Sequence, residues 1–427
     1  MSSAKITIWD TTVGYISWDE RNHTAIFEAE QAYLDSPINI APLLHPDKKD
    51  LLFGNNFHEK FLGMIPTFND SLPDSFGNVV FKEWLEQIDM DQSQMNPVER
   101  LLYVGQRGVG ALEYHQSKDI PNIDHNLDLS ELAHISDKII KRKYVQEDYL
   151  HNPDALRNML TIGSSVGGAQ AKILVAITKE QNQKNEKILA GDVLHPIPVD
   201  YYIVKLEHDS QDIWYREKNF VEFVYNQIAR ETGIRVADSR LIHEGGRVHF
   251  ASKRFDREGN KKIHQQTVNA LTGFFGKNTE FSYEHIFKVM EYLQLPARDK
   301  EQLFRQMVFN VVAANRDDHT KNFSFLMDSK GQWSLSPAYD LTFPFDPYQM
   351  FIVPHKLSIH QKVIDITRAD LVALAKKVGI LQYNSIIDRV VEGVASFRSR
   401  INEYDLNQKT TQLIAADIEK NIQRVKR

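Results

Sequence analysis

The chain has 427 residues, of which 42% are hydrophobic and 25% are charged, and this composition is typical of a globular protein with two or three domains. It contains no cysteine, which excludes disulfides and thiolate metal sites. The formal net charge of -6 argues against a protein that binds polyanions over its whole surface. No stretch approaches the roughly 20 apolar residues of a membrane helix, and the first ten residues lack an apolar signal core. We therefore expect a cytoplasmic protein that does not bind a membrane.

The first part of the chain, to about residue 115, mixes short strands and turns. Residues 6–10 and 13–19 are predicted to form a hairpin, and 97–103 a helix. A helix is also predicted through Trp84, with Asp70 or Ser71 as its N-cap and Pro73 in its first turn. A further helix, near 127–149, is expected to connect this region to the next domain.

From Lys172 onwards the pattern changes to β-structure and then to helices. Strands are predicted at 172–178 and 201–206, followed by a helix at 219–232 that Gly233 terminates, and by a hairpin across 244–246. After Phe255 the predicted elements are mostly helical, at 282–292, 298–314, 368–378, 383–404 and 409–425. This order predicts an α+β fold in which a β-rich lobe with one helix precedes a helical lobe. A cleft between two such lobes is a usual place for a ligand.

A loop of small residues, 163–172, leads into the first strand of the β-rich lobe. Backbone N–H groups in such a loop can converge on phosphate oxygens because no side chain blocks their approach. The loop is not a Walker A loop, since Ala169 follows Gly168 where that motif has lysine, and it is not the kinase G-x-G-x-x-G. Taken alone, it is also compatible with an ordinary tight turn.

Lys205 lies in the second apolar strand, where alternation places it on one face with Tyr201 and Ile203. A lysine beside apolar residues on a strand face is uncommon unless it is paired. Glu222 follows in the next predicted helix. A strand lysine with a helix glutamate repeats the kinase ion pair that positions a lysine on nucleotide phosphates, although a purely structural salt bridge is an equal alternative.

The segment 250–257 lies at the predicted change from the β-rich lobe to the helical lobe. Exposed main-chain N–H and C=O groups at Lys253, Arg254 and Phe255 could receive an adenine ring. An ordinary linker with charged residues explains the segment as well.

The most informative stretch is 315–323, Asn-Arg-Asp-Asp-His-Thr-Lys-Asn-Phe, which is followed by Pro-Ala-Tyr-Asp at 337–340. Phosphoryl transfer from a magnesium-bound nucleotide needs a carboxylate near the acceptor hydroxyl and oxygen ligands for the metal. We predict that Asp317 is the base and that Asn322 and Asp340 are the magnesium ligands. Apolar runs on either side of 328–331 predict a hairpin, which would bring Asn322 and Asp340 close together.

Together these segments resemble the HipA-type serine/threonine kinases, the toxin components of type II toxin–antitoxin modules. The resemblance rests on 165–172, 253–257, 315–324 and 337–340, and it extends to the N-terminal segments 70–77 and 104–111. It implies a bilobal protein-kinase-like fold of the α+β class with an additional N-terminal α/β subdomain. The implied domains are the N-terminal subdomain at 1–115, a linker helix and β-rich kinase N-lobe at 116–255, and a helical kinase C-lobe at 256–427.

The resemblance also implies a kinase that uses ATP and Mg²⁺, and it assigns residues to both. Asp317 matches the catalytic aspartate, and Asp340 matches a magnesium-binding aspartate. The implied contacts with the nucleotide and its metal are Gly167, Gly168, Ala169, Gln170, Ala171, Lys172, Lys205, Glu222, Lys253, Arg254, Phe255, His319, Thr320, Lys321, Asn322, Tyr339 and Asp340. Ser165 matches the serine whose autophosphorylation switches these kinases off, since a dianion in a loop built to receive phosphate would repel the nucleotide.

The sequence departs from the family pattern at two places. Ser164 adds a second hydroxyl beside Ser165, and Asp318 stands where some relatives carry glycine, so this second carboxylate could share the metal or base role. The family's usual partner is a helix-turn-helix antitoxin, which carries the complex onto operator DNA, and its substrates include an aminoacyl-tRNA synthetase. No residue of this chain specifies the antitoxin or the protein substrate.

Two other functions are compatible with the sequence. A kinase-like co-repressor scaffold, working with a DNA-binding antitoxin, is motivated by the basic residues of the last predicted helix, although these also suit the helix dipole. A metal phosphohydrolase would use Asp317, Asp318 and His319, but a second histidine–aspartate cluster is not evident in the sequence. The joint presence of the loop, the lysine, the hinge, the base and two metal ligands favours a kinase that acts as a growth-arresting toxin.

Overall fold

The structure is a computed structural model that describes residues 2–73, 75–87, 95–115, 127–142, 170–179, 186–208, 213–274, 280–344 and 353–427. The predictions for Gly167, Gly168, Ala169, Ser164 and Ser165 lie outside these residues. The chain divides into two compact units, and the three-domain division made from the sequence stays a prediction. The first unit comprises Met1–Asp209, Ile242–Phe274 and Leu326–Gln332, and the second comprises Ser210–Leu241, Phe275–Phe325 and Trp333–Arg427.

The N-terminal part of the first unit is built on a five-stranded antiparallel sheet. Its elements are β1 (Ser3–Ile8), β2 (Thr11–Asp19), β3 (Thr24–Ala29), α1 (Gln31–Leu34), β4 (Leu52–Phe53), α2 (Pro66–Asn69), α3 (Ser75–Gln87), α4 (Pro97–Val104) and β5 (Leu112–His115). The strand order is β4–β3–β2–β1–β5, and the pairing of β1 with β2 confirms the predicted opening hairpin. Alternation along β1 buries Ala4, Ile6 and Ile8, so one face of the sheet covers the core.

The helix predicted through Trp84 is present as α3, but its predicted start is wrong. α3 begins at Ser75, after the short helix α2, and Pro73 precedes it. The Asp70 carboxylate accepts hydrogen bonds from the N–H and hydroxyl of Thr267, at 2.7 and 2.8 Å, and does not cap α3. A long-range contact thus outcompetes the local capping signal. The predicted helix at 97–103 is confirmed as α4.

The second part of the first unit contains a second five-stranded sheet. Its strand order is β7–β6–β8–β10–β9, and β6 is buried along its whole length, which explains its unbroken apolar sequence. The predicted strands and hairpin are confirmed, and α5 covers the described part of the helix predicted at 127–149. The elements of this part are α5 (Leu129–Arg142), β6 (Lys172–Thr178), β7 (Ile188–Ala190), β8 (Val199–Lys205), β10 (Arg247–Lys253), β11 (Arg257–Glu258), β12 (Lys261–Lys262), β13 (His264–Thr267) and α7 (Val268–Thr272). Between β8 and β10 in the chain, α6 (Ile213–Glu231) belongs to the second unit, and β9 (Ser239–Glu244) has residues in both units.

The second unit is mostly helical and takes α6 into its core. Its later elements are α8 (Tyr283–Tyr292), α9 (Ala297–Val312), β14 (Ser324–Met327, shared with the first unit), β15 (Trp333–Leu335), α10 (Arg368–Lys377), α11 (Tyr383–Ala395), α12 (Phe397–Ile401) and α13 (Gln408–Lys426). Tyr225 of α6 is fully buried and packs edge-on against Phe309 of α9 and Phe397 of α12, with ring centroids 5.9 and 5.6 Å apart. Aromatic contacts of this geometry hold the three helices together.

The helix predicted at 383–404 is in fact two helices, α11 and α12, which meet at Ser396. The Ser396 hydroxyl donates to the carbonyl of Gly393 at 2.7 Å. A serine that bonds to a preceding carbonyl competes with the helical pattern, and this favours an interruption here. Among the described residues, no helix is long and apolar enough to span a bilayer.

Candidate active site

The predicted catalytic loop begins where α9 ends. Tyr225 donates its hydroxyl hydrogen to the carbonyl of Ala313 at 2.6 Å, and the N–H of Asn315 donates to the carbonyl of Asn310 at 2.9 Å. Ala314, between them, has a left-handed φ of 55°, which is uncommon for a residue with a side chain. These bonds turn the chain sharply at the end of the helix and fix the start of the loop that carries Asp317.

Asp317 and Asn322 are brought together by one hydrogen bond. The side-chain amide nitrogen of Asn322 donates to the carbonyl of Asp317 at 2.8 Å, and Asn322 ends a short 3-10 helix, Thr320–Asn322. Because this bond uses the amide nitrogen, it leaves the amide oxygen, an acceptor, as the atom that can act as a ligand. His319 is further away, with its Nε2 3.9 Å from Asp317 Oδ2.

Asp340 reaches the same place through the β14–β15 hairpin. The N–H of Ser336 donates to the carbonyl of Ser324 at 3.0 Å, which closes the predicted hairpin. Tyr339 donates its hydroxyl hydrogen to the carbonyl of Lys321 at 2.7 Å and lies 2.6 Å from the Ser324 hydroxyl. The residue before Asp340 is therefore attached to the 3-10 helix that contains Asn322. Asp340 itself has a left-handed φ of 53°, a conformation that aspartate adopts more readily than most residues with a side chain.

Burial and two neighbouring carboxylates raise the pKa of the Asp317 carboxyl above the ordinary value. Burial is the largest cause, even though 49% of the side-chain surface is exposed, and the nearby Asp340 and Asp318 carboxylates act in the same direction. The charges of His319 and Lys356 oppose the rise. A carboxylate whose pKa is raised in this way is a stronger base toward an acceptor hydroxyl.

The residues present fit a magnesium ion that also binds substrate phosphates. Magnesium prefers oxygen ligands and is commonly held by one or two carboxylates together with phosphate oxygens. Asn322 and Asp340 supply an amide oxygen and a carboxylate, and the mutual repulsion of Asp317 and Asp340 would be relieved by a divalent cation. Within the described ranges, no group of three or more histidine, aspartate or glutamate side chains could hold a metal by itself. The protein ligands are thus the kind that require phosphate to complete the site.

Asp318 is a buried structural carboxylate, which distinguishes it from Asp317. One of its oxygens accepts from the hydroxyl of Tyr283 at 2.7 Å and lies 2.9 Å from His355 Nδ1, while the other accepts from the N–H of Lys356 at 2.8 Å. Burial alone would raise the pKa of Asp318, but the charge and hydrogen bond of His355 and the bonds from Tyr283 and Lys356 lower it below the ordinary value. These partners occupy both oxygens and argue against a direct role as metal ligand or base.

Arg316 ties the catalytic loop to the C-terminal helix α13. Its guanidinium forms a two-pronged ion pair with Asp417, at 2.5 and 2.9 Å. Both side chains are largely buried, with 10% and 21% of their surfaces exposed. Paired bonds of this kind fix both distance and orientation, so α13 helps to hold the loop in place.

In the first unit, the predicted phosphate lysine Lys205 has a second lysine beside it. Lys172 on β6 and Phe250 on β10 lie directly opposite Lys205 on β8, so all three side chains share one face of the sheet. Both lysines are 7% exposed, and the Lys205 ammonium lies 5.8 Å from the centre of the Phe250 ring. Two ammonium groups on one sheet face concentrate the positive charge that phosphate oxygens bind. Gln170 and Ala171 immediately precede β6, at the end of the small-residue loop.

The predicted hinge, Lys253 to Phe255, is held by ion pairs. Lys253 binds Asp200 at 3.0 Å, and the guanidinium of Arg254 binds both oxygens of Asp256, at 2.9 and 2.7 Å. The N–H of Arg254 donates to the carbonyl of Tyr201 at 2.8 Å. The side chain and the main-chain N–H of Arg254 are both bonded within the unit. The carbonyl group is therefore the part of Arg254 that can contact a nucleotide. Phe255 is only partly buried.

Glu222 lies on α6 in the second unit and is 4% exposed. Its carbonyl accepts from the side chain of Asn226 at 2.9 Å, one helical turn later. Lys205 and Glu222 therefore belong to different units, and the ion pair proposed for them stays a prediction.

The sequence analysis missed the residues that support the loop: Tyr283, His355, Lys356 and Asp417. Each is far along the chain from its partner in 316–318, at separations of 35 to 101 residues. Local spacing carries no signal for such contacts. A weak signal for Tyr283 exists in Ser282, which precedes α8 as its N-cap and fixes where that helix begins.

Two family models match the chain. The HipA N-terminal domain matches residues 4–115, and the HipA-like C-terminal domain matches residues 164–397, which is more than half of the chain. Among curated proteins, a putative kinase of Haemophilus influenzae is 25% identical over 194 residues, covering 42% of this chain and 52% of that protein. The serine/threonine-protein kinase toxin HipA of Shewanella oneidensis is 27% identical over 153 residues, covering 30% and 35%.

A solved structure shares the fold over nearly the whole chain. It is the complex of HipA and HipB with operator DNA from Shewanella oneidensis, whose matching chain has a TM-score of 0.66, 17% identity, and coverage of 99% of this chain and 96% of that one. This match confirms the expected kinase-like α+β fold. This chain therefore spans about half the length of the Haemophilus relative and about a third of the length of the Shewanella one. On the match of both domain models, this chain belongs to the HipA family.

Proposed function

We propose that this protein is an ATP- and Mg²⁺-dependent serine/threonine kinase. The observation that carries the proposal is that Asp317, Asn322 and Asp340 converge on one loop and hairpin, while Asp318 is withdrawn into the core. This leaves one carboxylate for the acceptor hydroxyl and two oxygen ligands for the metal, which is the division of roles that phosphoryl transfer requires. The names of the curated relatives support the same activity.

In this proposal each residue has a limited role. Asp317 accepts the proton of the serine or threonine hydroxyl, and its raised pKa makes it a stronger base for that role. Asn322 and Asp340 hold Mg²⁺, which when bound neutralises charge on the nucleotide phosphates. Lys205 and Lys172 bind phosphate oxygens, and His319, Thr320 and Lys321 lie on the loop that would contact the nucleotide.

The direct test is transfer of radiolabelled γ-phosphate from ATP to protein by the purified wild type, Asp317→Asn and Asp340→Asn. We expect both variants to lose activity by roughly 1,000-fold or more, because the base or a metal ligand is absent, while their unfolding midpoints stay close to that of the wild type. Full activity in both variants would refute the assignment. Asp388→Asn, in which an exposed side chain is changed, is the matched control.

The same reaction also tests the proposed autoregulation. We propose that the kinase phosphorylates Ser165 in its own small-residue loop and is then switched off, because the added dianion repels the nucleotide. Mass spectrometry of the labelled wild type should place phosphate on Ser165, and Ser165→Ala should prolong activity. Phosphate found only on another residue, Ser164 included, would contradict the assignment of the site.

The role as a growth-arresting toxin, partnered by an antitoxin that binds operator DNA, is the biological part of the proposal. It is supported by the family and by the Shewanella complex, which contains HipA, HipB and operator DNA. The alternative is a co-repressor scaffold without kinase activity. Calorimetry separates the two, because a scaffold that has lost the activity would not bind ATP, whereas the proposed kinase binds it in a Mg²⁺-dependent manner.

A further inference from the structure

Lys356 lies beside the catalytic loop although 38 residues separate it from Asp318 in the chain. Its main-chain N–H donates to Asp318 Oδ1 at 2.8 Å, and the preceding residue, His355, contacts Oδ2 of the same carboxylate at 2.9 Å. Asp318 is buried and directly follows Asp317. The segment that carries Lys356 is therefore fixed against the loop that carries the proposed base.

The Lys356 ammonium is not used in an internal ion pair. Among the residues that the structure describes, none lies within hydrogen-bonding or ion-pair distance of it. Lys362 in the same segment differs, since its ammonium donates to both oxygens of Asp370, at 2.7 and 2.9 Å. Lys356 is partly buried, and its charge acts on the Asp317 carboxyl, where it opposes the rise in pKa. Since the main chain of Lys356 is bonded to the residue next to Asp317, its positive charge lies near the proposed base.

A cation has a clear use at this position. Asp317 and Asp340 already place two negative charges near each other, and a transferring phosphoryl group adds more. A preorganised cation stabilises such developing charge. Asp318, with both oxygens bonded and its side chain buried, fixes the main chain of Lys356, from which the ammonium extends.

We propose that Lys356 is a catalytic residue whose ammonium contacts the γ-phosphoryl oxygens of ATP, and that Asp318 is the positioning residue that fixes its segment. The proposal rests on the kinase function proposed above. In the transfer, the acceptor oxygen bonds to the γ-phosphorus and the bond from that phosphorus to the β–γ bridging oxygen breaks. ADP leaves with that electron pair, the hydroxyl proton passes to Asp317, and Lys356 keeps its protons throughout.

Two measurements on the full chain test this role, with Lys356→Met, Lys356→Arg and the matched control Lys362→Met. In steady-state transfer, Lys356→Met should raise KM for ATP by about tenfold, since the ammonium contacts the γ-phosphate before transfer, and should also lower kcat by roughly 10- to 100-fold, since this contact strengthens during transfer. Lys356→Arg should recover part of the loss because it keeps the charge. Lys362→Met should behave as the wild type.

The second measurement needs no turnover. Calorimetry measures the affinities for a non-hydrolysable ATP analogue and for ADP, and the ratio of the two is the contribution of the γ-phosphate to binding. Lys356→Met should reduce this ratio by about tenfold. An unchanged ratio, or a kcat within twofold of the wild type, would overturn the role of Lys356. If the wild type shows no transfer that depends on Asp317, the kinase proposal fails, and the binding ratio alone then decides whether Lys356 contacts the terminal phosphate.

Discussion

Two adjacent carboxylates, Asp317 and Asp318, have opposite environments. Asp317 keeps about half of its side-chain surface exposed and has a raised pKa, whereas Asp318 is buried, bonded at both oxygens and has a lowered pKa. Environments that separate the pKa values of neighbouring acids assign them different roles. Asp317 is suited to accept a proton, and Asp318 is suited to remain ionised and hold the surrounding segments.

The lowered pKa of Asp318 predicts how stability depends on pH. Its folded-state pKa lies below the unfolded value of about 3.9, so its contribution is fully present above that pH and is lost as the pH falls through the folded-state value. At pH 7, Asp318→Asn should lower the free energy of unfolding by roughly 1–3 kcal/mol, because Tyr283, His355 and Lys356 lose a charged acceptor.

Urea unfolding at pH 7 and at pH 3 measures this difference. The gap between wild type and Asp318→Asn should narrow at pH 3, because the Asp318 carboxyl of the unfolded wild-type chain is largely protonated there and unfolding then takes up a proton. Asp388→Asn, whose carboxyl is 65% exposed, should show little change at either pH. A gap that is the same at both pH values would mean that Asp318 does not act as a charged anchor.

These residues also show which parts of the candidate site can be predicted from the sequence. Asp317, Asn322 and Asp340 could be predicted because they lie within one loop and one hairpin, whose geometry follows from local spacing. The role of Asp318 could not, because Tyr283 and His355 lie 35 and 37 residues from it. Only the packing of α8 and of the segment after residue 353 brings these partners to it.

At the level of elements, α13 supports the catalytic loop through one ion pair. The basic residues of this helix suggested either a solvated helix end or a nucleic-acid contact. The structure adds a structural role, since Asp417 on the same helix binds Arg316 of the loop, and Arg424 binds Asp365 at 2.6 Å. At least two charged residues of α13 therefore form ion pairs with other parts of the chain.

Removing Asp417 should loosen the loop. In Asp417→Asn the largely buried Arg316 loses its carboxylate, and truncating one partner of such a pair costs about 3–5 kcal/mol when the pair is fully buried. Because both side chains retain some exposure, we expect the free energy of unfolding to fall by roughly 1–3 kcal/mol. Amide hydrogen exchange at 313–322 should also become faster. Exchange monitored by mass spectrometry measures the second effect.

The control for this prediction lies on the same helix. Glu419 is exposed and contacts only Gln423 among its described partners, at 2.6 Å, so Glu419→Gln should leave both stability and exchange unchanged. Exchange at 313–322 that is equally slow in the wild type and in Asp417→Asn would show that α13 does not hold the loop.

For the whole molecule, the sequence predicted the class of fold and most elements correctly. The continuous apolar run of β6 is a strong signal, and this strand was placed correctly, whereas β1 spans Ser3–Ile8 and not the predicted 6–10. The start of α3 and the break between α11 and α12 were missed, since Asp70 and Ser396 use their side chains differently from the local pattern. The small-residue loop, with Ser165, remains a prediction from the sequence and from the family.

The central claim is that this chain transfers phosphate from ATP to protein hydroxyl groups through Asp317. Phosphoproteomics after expression in cells tests it most directly, with the wild type compared to Asp317→Asn at equal protein level. The account predicts a small set of serine or threonine sites that are phosphorylated with the wild type and unmodified with the variant. Phosphoproteomes that are identical for the two proteins would contradict it.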